Sequence, residues 1–111
     1  MIMQTKYSDC HRVDNRYTTA IGMSVWRFFN IGKYKNQKVK DVCYFNPFYV
    51  AWCLESWQGF SLTSYERFNY IKGLKRQLER NPEDEDLILR IRKYLAIIGY
   101  DLTTIMGTPR D

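Results

Sequence analysis

Only one histidine occurs in this chain, and no two of its three cysteines form a CxxC pair. Cys10, Cys43 and Cys53 are an odd set whose spacings suit neither a disulfide framework nor a structural zinc site. A reduced, intracellular setting is expected, with Cys43 and Cys53 packing as small hydrophobes. No apolar run approaches the roughly 20 residues of a membrane span, and the N-terminus lacks the apolar core of a signal peptide. The expected protein is therefore soluble and cytoplasmic, with no membrane partner. Internal repeats and low-complexity linkers are also missing. A two-metal nuclease centre would need several converging carboxylates. Asp9, Asp14, Asp41, Glu55, Glu66, Glu79, Asp101 and Asp111 show no DxE spacing or acid-plus-histidine signature. His11 adjoins Cys10, but neighbouring residues seldom aim their side chains at one another. No catalytic residue, metal site or cofactor is expected.

Aromatic residues and positive charge are abundant. Hydrophobic residues make up 45% of the 111 positions, enough for a real core, so a single domain over residues 1–111 is expected. Nine tyrosines suit places where a buried surface meets water or a ligand. The formal net charge is +5. Four acids are gathered at Glu83, Asp84, Glu85 and Asp86; setting the seventeen basic side chains against the eight remaining acids leaves +9 elsewhere. That balance favours attraction to polyanions and says nothing of fold.

Residues 1–20 read as a loosely held arm that has room for an early strand. Val25-Trp26-Arg27-Phe28-Phe29-Asn30-Ile31 is β-branched and aromatic, which predicts a strand from about residue 24. Lys35-Asn36-Gln37-Lys38 then reads as a turn, with Asn36 suited to the left-handed conformation, and Lys38 to Val42 as a short return strand. Asn46-Pro47 signals the start of a helix to about Trp57 with little polar face. Trp52 is expected in its core contact, whereas Trp26 and Trp57 remain open between core and surface.

Thr63-Ser64-Tyr65-Glu66 fits a capping box. The helix after it carries Tyr65, Phe68, Ile71, Leu74 and Leu78 as an apolar stripe, and Gly73 marks a close approach. Asn81-Pro82 reads as another helix start, with the acids 83–86 complementing the helix dipole. Leu87, Ile88, Ile91, Tyr94, Leu95 and Ile98 form a second stripe that ends at Gly99. The short connection makes these two helices an antiparallel hairpin. The expected class is α+β: a small antiparallel β-hairpin on a short aromatic helix (24–62), a two-helix hairpin (63–99), and a tail (100–111) in which Leu102, Ile105 and Met106 can dock.

Ile31-Gly32-Lys33-Tyr34-Lys35, Val39-Lys40-Asp41-Val42, Asn46-Pro47 with Tyr49, Val50, Trp52, Cys53, Leu54 and Glu55, and then Gly59-Phe60 form a distinctive series. It resembles the small C-terminal domain of exonuclease X-like DEDD exonucleases, which also occurs as a short stand-alone protein. The resemblance covers about residues 28–62. Asn36 stands where that family has a turn glycine, and Asn46 where it has an acid before the proline. The exonucleases hold their catalytic carboxylates in a separate domain that has no counterpart in this chain. The resemblance therefore implies a non-catalytic, nucleic-acid-associated accessory module.

On this reading Lys33, Lys35, Lys38 and Lys40, with Arg27 on the first strand, contact phosphates, and Tyr34 stacks on a base or sugar. The opposing explanation is that the lysines only keep an edge strand soluble. Arg67, Lys72, Lys75, Arg76 and Arg80 form a secondary basic face, which could equally be a solvated helix surface. The expected partner is nucleic acid, DNA ahead of RNA. The alternative function is a protein-interaction module, an adaptor or inhibitor of a nuclease or defence enzyme such as a phage or mobile element encodes, anchored by an exposed tryptophan.

Overall fold

The computed structural model describes residues 11–17 and 25–103. Strands β1 (Val13–Tyr17) and β2 (Val25–Phe29) are followed by helices α1 (Val39–Phe45), α2 (Pro47–Ser56), α3 (Ser64–Arg80) and α4 (Glu85–Ile97), an α+β architecture. Among the described residues no helix is long and apolar enough to cross a membrane. Cys10, Ile105 and Met106 lie outside the described residues.

The antiparallel hairpin is present, but its strands are not the expected pair. β2 pairs with β1, in register from Val13 opposite Phe29 to Tyr17 opposite Val25. The return strand expected at Lys38 to Val42 is instead helix α1. Val39, Val42 and Cys43 are fully buried at positions i, i+3 and i+4, a helical spacing that outweighs the β-branched character of the two valines. One bridge between Phe28 and Lys38 is all that joins β2 to this segment as a ladder. The chain between them forms a tight loop. The Phe29 N–H donates to the Gln37 carbonyl (3.0 Å) and the Asn36 N–H to the Phe29 carbonyl (2.7 Å). Asn36 takes the left-handed conformation expected of it, with φ 72°.

Asn46 separates α1 from α2 and serves both. Its N–H donates to the Val42 carbonyl at 2.8 Å, closing α1, and its side-chain oxygen accepts from the Tyr49 N–H, opening α2. Its amide Nδ2 also donates to the Tyr34 hydroxyl at 2.6 Å. Pro47 occupies the first turn, as the sequence indicates. The core gathers around Phe29, whose ring meets Tyr49, Trp57 and Phe60 at centroid distances of 5.7, 5.9 and 6.4 Å. Trp57 is buried, but Trp52, expected inside, is 50% exposed.

α3 opens with the full capping box: Thr63 Oγ1 accepts from the Glu66 N–H, and the Glu66 carboxylate accepts from the Thr63 N–H. Its buried face is rotated from the expected stripe. Glu66, Tyr70, Gly73, Leu74 and Leu78 face inward, while Tyr65 and Phe68 face solvent. Two contacts fix this rotation. Glu66 is drawn inward by Arg27, and Gly73 lies against the end of α1. A Cβ on Gly73 would sit 2.5 Å from the carbonyl oxygens of both Cys43 and Tyr44, so the two backbones touch where a side chain would normally stand.

α4 packs back on α3. Asn81 ends α3 rather than starting α4, its N–H donating to the Leu78 carbonyl, and Pro82 lies in the connection. The true cap is Asp84, whose carboxylate accepts from the Leu87 N–H at 3.1 Å. Leu87, Ile91 and Leu95 are buried as the stripe indicates, and Ile88, Tyr94, Ile98 and Leu102 pack beside them. The helix stops at Gly99 (φ 86°). There the Gly99 N–H donates to the Ala96 carbonyl and the Tyr100 N–H to that of Leu95, a Schellman ending.

Candidate nucleic-acid interface

The cationic ridge expected on a β-ribbon does not form. Lys33 and Lys35 occupy the turns between β2 and α1, Lys38 sits at the single bridge, and Lys40 is in the first turn of α1. The two-residue alternation that would align them belongs to strands and has no bearing on a turn and a helix. Tyr34 is half-buried and already engaged. Its ring meets Tyr49 edge-on at 4.7 Å and Phe45 at 6.3 Å, and its hydroxyl is held by Asn46. Arg27 leaves the expected set as well. Its Nε and Nη2 donate to the two Glu66 carboxylate oxygens at 2.9 and 2.6 Å, and Nη2 also donates to the Ser61 carbonyl. A guanidinium committed to a buried carboxylate has few donors left for a phosphate.

A different basic surface does form, where α1 crosses α3. Lys38 Nζ lies 5.6 Å and Lys40 Nζ 5.0 Å from the Trp26 ring centre. Trp26 in turn meets Tyr65 of α3 at 5.5 Å. Further along, Lys72 Nζ lies 5.0 Å from the Phe68 ring and 6.0 Å from Tyr44, and the Arg76 guanidinium 5.0 Å from Tyr44. A groove of about 330 Å³ joins the two groups, lined by Lys40, Asp41, Tyr44, Phe45 and Gln37 on one side and Asn69 and Lys72 on the other.

Helical geometry explains the grouping. At 100° per residue, Tyr65, Phe68, Asn69, Lys72 and Arg76 share the face of α3 opposite Tyr70 and Leu74. Lys75, Glu79 and Arg80 are exposed on the same helix. Arg67 points to another side of α3; it lines one groove with Leu54, Phe60, Leu62 and Ile98 and a second with Ser64, Phe68, Ile71 and Tyr100. The secondary basic face of the sequence thus keeps Lys72, Lys75, Arg76 and Arg80 and loses Arg67. Lys38 and Lys40 join it from the expected hairpin.

The electrostatics are lopsided. Among the described residues Asp41 is the one carboxylate lining the groove, where it pairs with Lys40 at 2.9 Å, and Glu79 falls on the same side of α3 beyond Arg76. Arg76 Nε is buried without a hydrogen-bond partner among the described residues, so the donors this side chain can offer a ligand are its terminal nitrogens. The acids 83–86 are held at the start of α4, where Asp84 caps the helix and Glu85 and Asp86 lie in its first turn. Elsewhere, Asp14 is held below the ordinary carboxylate range, chiefly by its hydrogen bond to Arg16. Burial pushes the Cys43 thiol and the Tyr70 hydroxyl up, keeping both protonated. Among the described residues no group of three His, Cys, Asp or Glu side chains could hold a metal ion.

The exposed aromatics Tyr65 and Phe68 were hidden from sequence reasoning because they lie on a regular apolar spacing. A second spacing, Tyr70-Leu74-Leu78 with Gly73 inside it, was the available signal. Comparison of the chain with protein-family models, curated proteins and solved structures returned no match.

Proposed function

We propose that this protein is a non-catalytic, nucleic-acid-binding accessory protein that takes phosphates on the α1–α3 face. The observation that carries the reading is the placement of Lys40 and Lys72 on opposite sides of one groove. Lys38 and Arg76 extend it at either end, and among the described residues Asp41 is the one carboxylate that lines it. Cations spaced this way neutralise successive phosphates and release counterions, which gives salt-sensitive affinity. The resemblance of residues 28–62 to the exonuclease X-like accessory domain supports the same role, and DNA remains favoured over RNA. In this reading the protein works in the cytoplasm.

The test is fluorescence anisotropy with short DNA and RNA at two salt concentrations. Lys40→Glu with Lys72→Glu is expected to abolish binding, and Lys33→Glu with Lys35→Glu to weaken it at most modestly. Intact affinity in the first pair, or no binding by the native chain at low salt, overturns the reading.

A second reading, a protein-interaction module acting as an adaptor or an inhibitor of a nuclease or defence enzyme, rests on Trp52. This ring is half exposed and packs only partly, against Tyr49 and Trp57. A stoichiometric protein partner that survives nuclease treatment and high salt, and is lost in Trp52→Ala, would favour it.

A further inference from the structure

The rings on the α1–α3 face are as informative as its charges. Phe68 is 56% exposed, Tyr65 51% and Tyr44 38%, and each stands beside a cation. Holding three such rings at the surface forgoes the stabilisation that their burial would bring. Duplex DNA gives them nothing in return, because it presents phosphates outward and keeps its base faces stacked inside. A single strand presents both groups in alternation. Accordingly, we propose that this face binds single-stranded nucleic acid, with bases on Tyr65, Phe68 and Tyr44 and phosphates on Lys40, Lys72 and Arg76; the inference rests on the nucleic-acid reading above.

The geometry suits that occupant. From Tyr65 to Arg76 the exposed stripe of α3 runs about 16 Å at the helical rise, so a strand at the stacked spacing of about 3.4 Å covers it in about five nucleotides. Tyr65, Phe68, Lys72 and Arg76 follow one another at three- and four-residue steps on α3, and Tyr44 meets Lys72 and Arg76 from α1, so rings and cations recur together along this face. Every base has a π face, which makes such a surface tolerant of sequence. An acidic peptide would satisfy the cations and leave the rings unused. An apolar helix would cover the rings and strand four charges.

The test uses the full chain and labelled oligothymidylate, oligoadenylate and mixed duplex, each about 12 units long, at about 50 mM and about 200 mM salt. Oligothymidylate and oligoadenylate are expected to bind within a few-fold of one another and about tenfold or more tighter than the duplex. Phe68→Leu and Tyr65→Leu should each lower single-strand affinity about tenfold while leaving the salt slope and the duplex affinity in place. Lys40→Gln with Lys72→Gln should instead reduce the slope by about 0.7 per charge. Tyr65, Phe68 and Lys72 are exposed and Lys40 is partly buried, and thermal melts confirm that each variant folds. Duplex binding as tight as single-strand binding, or ring variants within twofold of the native chain, overturns the single-strand assignment and leaves the nucleic-acid reading standing. No binding of any oligonucleotide overturns both. Equal displacement by polyglutamate shows polyelectrolyte attraction only and also overturns the assignment.

Discussion

Arg27 and Glu66 form a two-pronged ion pair between β2 and the first turn of α3, with the carboxylate almost fully enclosed. The same carboxylate accepts the Thr63 N–H, so one side chain ties the strand to the helix and caps the helix at once. Truncating Arg27 leaves an uncompensated buried charge. Arg27→Ala is expected to cost about 3–5 kcal/mol, and replacement of both partners by apolar residues of matching volume much less. Urea unfolding of the single and double variants measures this, and a single-variant loss below about 1 kcal/mol would show the pair to be dispensable.

Gly73→Ala reverses the usual propensity rule. Alanine favours an isolated helix by up to about 1 kcal/mol over glycine. Here its methyl carbon would meet two main-chain carbonyls at 2.5 Å, and backbone cannot swing aside as a side chain can. The expected result is a net loss of about 2–3 kcal/mol and a weakened oligonucleotide complex, because α1 must move away from α3. A stable Gly73→Ala variant with native affinity would contradict the close crossing.

Asn46→Ala removes a helix cap and the hydroxyl partner of Tyr34 together. The cap alone is worth about 1 kcal/mol and the hydrogen bond a similar amount. Tyr34→Phe removes only the second, so a smaller shift in its thermal midpoint is expected. Equal shifts in the two variants would mean that the capping bond carries little.

Alkaline conditions should weaken the fold through Cys43. Desolvation raises this thiol well above its ordinary range, and the nearby Glu66 carboxylate adds to the rise. The unfolded chain therefore loses the proton first. The stabilising contribution is intact below about pH 9 and declines by about 1.4 kcal/mol per pH unit above it, until the folded thiol also ionises. Tyr70, raised by burial, adds a loss of the same sign at higher pH. Urea midpoints between neutral pH and pH 10 should fall more steeply in the native chain than in Cys43→Ala; parallel curves would exclude the thiol as the source.

Local chemistry was legible in the sequence wherever one residue type does one job. Asn46-Pro47, the Thr63–Glu66 box, the stripe from Leu87 to Ile98, the stop at Gly99 and the left-handed Asn36 are each set by their own backbone needs. Choices settled by distant partners were not legible. Val39-Lys40-Asp41-Val42 carries both strand-like residues and helical spacing, and burial against α3 decides between them. The partner of β2 comes from the polar Val13-Asp14-Asn15-Arg16-Tyr17, whose composition does not announce a strand. The rotation of α3 depends on Arg27, which lies 39 residues away from Glu66 in the chain. That rotation turns Tyr65 and Phe68 outward, so the candidate site moved with it, from the loop lysines to the helix crossing.

The bare crossing at Gly73 has one more effect. Because main chain meets main chain there, the separation between the Lys40 row and the Lys72 row is set by peptide geometry and not by the volume of any intervening side chain. Surface residues along either row can drift over evolutionary time without altering the gauge of the track, whereas any residue larger than glycine at that single point would widen it along its length.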